Sequence, residues 1–528
     1  MAVQVKNRRK ILCAFPAYAP SFGTFEYAYA LRGRTKAFMP PQGILVVAAY
    51  LPQSWDVRFV DENMARLTEG DLRWADAVFV SGMHMQRNNM LDIARRAHRA
   101  GKTTIIGGPS VSATPEAYGV FDYLHIGELG DATDALIRRL DDDISRPAQQ
   151  VVFETTNRLP LSEFPTPAYH LADVDRYFLA SIQFSSGCPY QCEFCDIPVL
   201  YGRQPRLKTP QQLTQELDTL LRFGNPGAIY FVDDNFVGNR KAARELIPHL
   251  IQWQKRNRYP LEFACEATLN IARDKELLAA MREAYFTTVF CGIETPDVDA
   301  LHAMSKGQNA MVPMMDAIRT LNEHGMEVVA GIIMGLDTDR FDTAQRILDF
   351  IELSKIPMLT INLLQALPKT PLWNRLHAAG RLVNDAQRES NVAFALPYEQ
   401  VVESWRRCIG AAYEPEALYR RFAYNLEHTY PNRIKPPPEG RATWANMRKG
   451  MRILTKLLLH EGVIADYRGT FWQHALPLLR AGRIEDMIHI ALVGHHLIAF
   501  TRAALAGEHN ASFYSAKVRT GEALTAGG

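Results

Sequence analysis

Ser185-Ser186-Gly187-Cys188-Pro189-Tyr190-Gln191-Cys192-Glu193-Phe194-Cys195-Asp196 places three of the chain's seven cysteines in the spacing CxxxCxxC. Iron–sulfur clusters ordinarily take four thiolates, so a compact set of three with no obvious fourth leaves one iron of a four-iron cluster open to a small molecule. That arrangement suits a catalyst better than an electron carrier. Zinc sites show two separated CxxC or Cys/His pairs, and no second pair follows at ribbon or finger spacing, which disfavours zinc. An odd cysteine count in a long chain disfavours disulfides. Simple electron transfer would need Cys265 or Cys291 as a fourth ligand, but both fall inside apolar strand patterns and read as small buried hydrophobes.

Upstream of the triplet, Ile11–Phe15, Val57–Asp61, Ala77–Ser81, Thr103–Gly107 and Tyr123–Ile126 are short apolar runs separated by helical stretches. This alternation predicts a doubly wound, Rossmann-like parallel sheet over residues 1–150. Several runs end in small or acidic residues: Ser81-Gly82, Gly107-Gly108 and Gly127-Glu128. The crevice at the carboxyl ends of such strands binds ligands, and glycine there lets backbone come close. The first strand leads into Pro16-Ala17-Tyr18 instead of GxGxxG, so a nicotinamide or flavin dinucleotide is disfavoured. His84, after the third strand, reads as a loop or core histidine.

Residues 151–179 read as a linker, and from Ser181 the pattern restarts. Ser181–Ser185, Ala228–Asp233, Glu262–Thr268, Thr287–Ile293, Glu327–Met334 and Met358–Ala366 read as strands, with helices such as Gln211–Phe223 and Lys241–Lys255 between them. Six strand–helix units over 180–390 predict a partial parallel barrel, whose carboxyl-end mouth carries the chemistry. The cysteine loop follows the first strand, Asp233-Asp234-Asn235 the second, and Glu266, Asn270, Glu294, Gly331 and Gly335 lie at or after the next three. The paired aspartates have open alternatives as caps, as acid–base groups or as ligands of a hard metal.

The remaining residues, 391–528, are helical and aromatic, with Pro436-Pro437-Pro438 as a hinge. Across 528 residues the net charge is only +2 and gives no reason to expect nucleic acid. From Arg441 onward, however, Lys and Arg outnumber Asp and Glu by eleven to six, interleaved with Leu, Ile, Trp and Phe. A solvated helix face over a core is the plainer reading of this stretch; a membrane-facing surface or substrate lid is the other. Met487–Leu505 is apolar but holds His489, His495, His496 and Arg502, a poor bilayer span. The basic start leads into a short apolar run that reads as a strand and not as a signal or anchor. A reducing, cytoplasmic location fits free thiols, with peripheral contact at the inner membrane as the option the basic C-terminal region leaves open.

The triplet, with Phe194 just before its last cysteine, resembles the signature of the radical S-adenosylmethionine (SAM) superfamily, and Pro40-Pro41-Gln42-Gly43 followed by Gly107-Gly108 and Gly127-Glu128 is similar to the cobalamin-binding domain of one of its subfamilies. The resemblance implies a [4Fe-4S] cluster on Cys188, Cys192 and Cys195, SAM chelating its open iron, and reductive cleavage to a 5′-deoxyadenosyl radical. It implies that Asp233, Asp234 and Asn235 meet the methionine amino group, that Glu266 or Asn270 meets the ribose, and that Gly331 to Gly335 lies beside the adenine. Glu294 joins this pocket, while Ser81, Gly107, Gly108, Gly127 and Glu128 line the cobalamin crevice. The DxHxxG loop is absent, so the implied methylcobalamin has no histidine ligand. The Ser21-Phe22-Gly23-Thr24-Phe25, Val80-Ser81-Gly82-Met83-His84 and Ile361–Trp373 stretches look like the hopanoid C-2 methylase branch. What this implies is methylation of an unactivated ring carbon of a triterpenoid lipid, with flavodoxin or ferredoxin as electron donor. Another substrate for the same chemistry, a cyclisation, or a non-catalytic cobalamin or cluster sensor stay open at this point.

Overall fold

The computed structural model describes residues 3–437, 444–512, 514, 515 and 517. Six strands, β1 (Lys10–Phe15), β2 (Asp56–Asp61), β3 (Ala77–Ser81), β4 (Thr103–Gly107), β5 (Tyr123–Ile126) and β6 (Val151–Glu154), form one sheet in the order β2-β1-β3-β4-β5-β6. Every pair is parallel. Leu12 and Ala14 of β1 enter an apolar cluster with Val78 and Ile93, whereas Ile11 and Cys13 enter another with Phe79 and Leu136. Burial on both faces is why these strands read as continuous apolar runs. Strand order reverses between β1 and β3, the switch point at which such sheets take ligands.

Residues 151–179 do not begin as a linker, because β6 pairs with β5 at the edge of this sheet. Its four residues alternate between half-buried and exposed, too short and too solvated to stand out as an apolar run.

The second sheet runs β14-β13-β12-β11-β10-β7, with β7 at Ala180–Ile182 and, after the short strands β8 (Ser185–Ser186) and β9 (Arg206–Leu207), β10 at Ala228–Phe231, β11 at Glu262–Glu266, β12 at Phe286–Glu294, β13 at Glu327–Met334 and β14 at Met358–Leu363. All its pairs are parallel, and β7 and β14 are free edges, so the barrel is open. The expected strand Ser181–Ser185 is split: β7 stops at Ile182, and β8 turns to pair antiparallel with β9. This ribbon ties the base of the cysteine loop. The helices between strands start where caps allow. Thr209 Oγ1 accepts the Gln212 N–H at 3.1 Å ahead of Pro210–Phe223, and Asn239 Oδ1 accepts the Ala242 N–H at 3.1 Å ahead of Arg240–Arg256.

Helices Tyr398–Ala412, Pro415–His428, Trp444–Leu459, Arg468–Arg480 and Ile484–Leu505 follow. Their Trp405, Tyr413, Phe422, Phe471 and Leu497 share one unbroken core with Phe231, Val289 and Ile361 of the barrel. Ile484–Leu505 is long and apolar enough to cross a membrane, yet 67% of its most apolar window is buried against the protein. Of the expected proline hinge, Pro438 lies outside the described residues.

Candidate functional site

A cavity of about 1250 Å³ runs from the carboxyl ends of β3, β4 and β5, along the inner face of the barrel, to helix Ile484–Leu505. Ser81, Gly107, Gly108, Gly127 and Glu128 all border it. Gly108 and Gly127 serve first to let strand ends pack against one another. At Gly108 (φ +101°) a Cβ would lie 2.6 Å from Ser81 Oγ, so neither its conformation nor its surroundings admit a side chain. Backbone therefore forms the cavity floor here. On the barrel side, Tyr230, Val232, Ala264, Glu266, Thr288 and Phe290 line it at alternate positions toward the carboxyl ends of their strands, joined by Ile229, Phe263 and Thr287 nearer the amino ends.

Glu128 spans the two sheets. Its carboxylate accepts from Arg206 Nη2 at 2.5 Å and Ser186 Oγ at 3.3 Å on the ribbon, with Arg158 3.2 Å away. Tyr177 Oη donates to Asp61 at 2.9 Å and Ser181 Oγ to the Pro40 carbonyl at 2.7 Å, fixing the same junction. His84 sits in a turn after β3 with Nδ1 3.1 Å from Ser110 Oγ, and burial pulls its pKa down to about 4.

The three cysteines are half-buried in the loop between β8 and β9. Cys188 N–H donates to the Gly202 carbonyl at 3.2 Å, Cys195 N–H to the Cys192 carbonyl at 3.1 Å, and Glu193 N–H to the Met304 carbonyl at 3.0 Å. Gln308 Nε2 donates to Cys192 Sγ at 3.3 Å. Burial raises the thiol pKa of Cys188, and Asn235, whose buried Nδ2 has no hydrogen-bond partner, lies close enough to lower it. Lys306 lies between the Glu294 carboxylate, with which it forms a buried ion pair, and the Phe194 ring, 5.4 Å from its ammonium, and its charge acts on Cys192 and Cys195. Lys306 and Gln308 escape sequence reading, because the loop after β12 has no motif of its own.

Among the remaining expected site residues, Asp234 and Glu266 line the cavity. Asp234 accepts the Gly187 N–H at 2.6 Å and Glu266 the Tyr230 hydroxyl at 3.1 Å. Burial pushes Asp234 up to about 6 and Glu266 up to about 7. Asp233, also raised to about 7 by burial, is turned away from the cavity and accepts the Ser185 and Phe184 N–H groups, so it caps the strand end. Asn270 holds the loop through Tyr190 Oη at 2.8 Å. Gly331 lies on β13 beside Phe290, and Gly335 (φ +92°) makes a turn filled by Phe394. Cys265 and Cys291 are fully buried in the barrel core.

The donor set fits a cluster better than a single ion. The loop from Ser186 to Arg206 holds no fourth cysteine and no histidine that would complete a tetrahedral site on the three thiols. The inward Asn235, Gln308 and Lys306 suit a group carrying thiolate charge. The cavity floor, made of backbone at three strand ends, fits a large flat cofactor.

Two ligand-binding sheets facing one cavity, with a three-cysteine loop between them, define an enzyme that joins cluster chemistry to a second cofactor. Family models agree: a B12 binding domain matches residues 30–137, the radical SAM superfamily 182–351, and DUF4070, a domain of unknown function, 370–510. The chain belongs to the cobalamin-dependent radical SAM methyltransferase family, whose cofactors are a [4Fe-4S] cluster, SAM and cobalamin. It is 57% identical to the hopanoid C-2 methylase of Rhodopseudomonas palustris over 97% of this chain and 98% of that protein. An uncharacterized methyltransferase of Synechocystis sp. is 34% identical over 92% and 90%. Among solved structures, the cobalamin-dependent SAM radical enzyme OxsB with aqua-cobalamin and SAM bound has the same fold, with TM-score 0.59 at 15% identity over 95% of this chain and 81% of that one. Enzymes of this class need an electron donor and a small-molecule substrate.

Proposed function

We propose that this protein methylates an unactivated ring carbon, C-2 of ring A, of a hopanoid-type triterpenoid. The observation that carries the reading is the single cavity that joins the glycine floor of the first sheet to an apolar wall of Leu492, Val493 and Leu497, in a chain 57% identical to a hopanoid C-2 methylase. A rigid, apolar pentacycle would lie along that wall.

Cys188, Cys192 and Cys195 hold the cluster. Asp234, Asn235 and Glu266 meet SAM, with Asn270 and Glu294 supporting the loop through Tyr190 and Lys306, and Gly331 and Gly335 shaping the adenine side. Ser81, Gly107, Gly108 and Gly127 give cobalamin its floor, and Glu128 latches that floor to the cysteine loop. When bound, these cofactors supply hydrogen abstraction from an inert C–H bond and a transferable methyl group, which side chains cannot provide. The chain's part is to align the reactants and exclude water. The first sheet, which runs through β6 at Val151–Glu154, forms the cobalamin unit, residues 180–390 the SAM unit, and the C-terminal helices from Tyr398 to Leu505 the substrate wall. Flavodoxin or ferredoxin donates the electrons.

On this reading the enzyme is cytoplasmic, works peripherally at the inner membrane and takes its substrate from that surface. Helix Trp444–Leu459 and the turn after it expose Trp444, Met447, Met451, Leu459, Val463 and Ile464 beside the exposed Arg448 and Arg452. Ile453 and Leu457 of the same helix are buried, so this second apolar stripe has basic flanks suited to anionic lipid.

The test is anaerobic incubation of the reconstituted protein with flavodoxin or dithionite, SAM, methylcobalamin and diploptene, with mass spectrometry for 5′-deoxyadenosine and methylated lipid. Both products, lost together in Cys192→Ala, are expected. Deoxyadenosine without methylated lipid would remove the substrate assignment, and absence of both with all cofactors bound would remove the enzyme reading.

A further inference from the structure

Helix Trp444–Leu459 runs into a π-helical turn, His460–Ile464. Such wide turns are rare and concentrate at functional sites. Here the turn aims two consecutive side chains at helix Ile484–Leu505. Glu461 is completely buried, and its Oε1 lies 3.0 Å from His460 Nδ1 and 3.0 Å from His495 Nδ1. Tyr467 Oη is 3.2 Å from His495 Nδ1. Glu461 Oε2 has no hydrogen-bond partner, nor does the buried hydroxyl of Tyr419, whose pKa burial and Glu461 both raise.

A carboxylate taken wholly out of water normally finds partners for both oxygens, since the cost of leaving one bare runs to about 1–3 kcal/mol or more. Here two imidazoles crowd one oxygen, their rings 4.5 Å apart and near-perpendicular, while the other oxygen is empty-handed. One carboxylate oxygen can accept both imidazole donors, but hydrogen bonding alone then leaves the second oxygen bare. Two imidazole nitrogens and one carboxylate oxygen that all fall within 4.8 Å of one another instead match the donors of a four-coordinate ion with one open position. Among the described residues no other group of three such side chains converges in this way.

We propose that His460, Glu461 and His495 bind a divalent transition-metal ion of the zinc type, distinct from the iron–sulfur site. The ion staples the π-turn to the helix that walls the cavity: Leu492, Val493 and Leu497 face the cavity, and His495 faces the turn. Trp472 closes the turn from the other side, its Nε1 donating to the Gly462 carbonyl at 2.9 Å. The site's role is to hold the wall in place; it touches no reacting atom.

The experiment is zinc titration of the full chain carrying its assembled cluster, against a chromophoric competitor, with zinc per chain measured by mass spectrometry. One equivalent is expected, with affinity at least about a hundredfold weaker in His460→Ala and His495→Ala and a zinc-dependent rise in Tm that both variants lose. His460 is 37% exposed, so its replacement leaves folding intact, which an unchanged iron content verifies. The Cys188→Ala/Cys192→Ala/Cys195→Ala chain should still take one zinc. No zinc uptake, or zinc uptake and Tm rise unchanged in His460→Ala, would overturn the assignment.

Discussion

Gly187→Ala tests how the cysteine loop is built. Gly187 immediately precedes Cys188 and has φ +97°; a methyl group there would lie 2.9 Å from the Gly202 carbonyl oxygen, 3.2 Å from that of Gln204 and 3.3 Å from that of Tyr201. Gly202, across the loop, has nearly the same φ, +90°, but open space around its Cβ position. The left-handed conformation costs an alanine about 1–2 kcal/mol, and overpacking against backbone adds about 1–3 kcal/mol. Gly202→Ala should therefore cost about 1–2 kcal/mol and Gly187→Ala about 2–5 kcal/mol, within the roughly 5–15 kcal/mol by which domains are stable. The clash has a local outlet, because Cys188 N–H is held by that same Gly202 carbonyl at 3.2 Å. Urea unfolding of the cofactor-free chain reads the stability, and iron and sulfide content after anaerobic reconstitution reads the loop. The expected result is near-complete iron in Gly202→Ala and loss of most of it in Gly187→Ala. Equal midpoint shifts with equal iron would refute the idea that carbonyl crowding, over and above backbone conformation, demands glycine at 187.

Lys306→Met leaves the buried Glu294 carboxylate without its cation and should cost about 3–5 kcal/mol, most of it recovered by adding Glu294→Gln; a denaturation double-mutant cycle measures both. Glu128→Ala strips Arg206 and Arg158 of their shared partner, so hydrogen exchange should quicken at Ser186–Cys188 while the interiors of β3 and β4 are unchanged. Glu266 is held near pKa 7 by burial, above the 4.5 of a free glutamate. A raised carboxyl stabilises the fold fully below about pH 4.5 and loses that contribution as pH rises through about 7. The Tm of the cofactor-free chain should accordingly fall less between pH 5 and 8 in Glu266→Gln than in the parent.

Strand positions in both sheets are legible in the sequence because parallel strands buried on two faces leave unbroken apolar runs, as Ala77–Ser81 and Glu327–Met334 show. β6 is not, since an edge strand of four residues is half solvated. The cysteine triplet announces its own chemistry, whereas Lys306 and Gln308 reach it from a loop more than a hundred residues downstream. Asp233 and Asp234 look equivalent in sequence. Only the fold separates them, turning Asp233 into the backbone of the β7–β8 bend and Asp234 toward the cavity. The His460–Glu461–His495 group is invisible to spacing rules because its third member comes from a separate helix.

The shared core of barrel and C-terminal helices bears on how this enzyme can be divided. Phe471, Ile490 and Leu497 are as deeply buried as the barrel's own Phe231 and Val289, so cutting the chain near Pro437 would bare the barrel's flank and yield a misfolded fragment. The barrel and the helices should melt together as one cooperative unit, to which Phe22, Leu31 and Leu45 tie the first domain, whose sheet also has apolar clusters of its own on each face. On the proposed reading, preference for one lipid over another is then tuned by side-chain substitutions along Ile484–Leu505 and not by exchanging a detachable module.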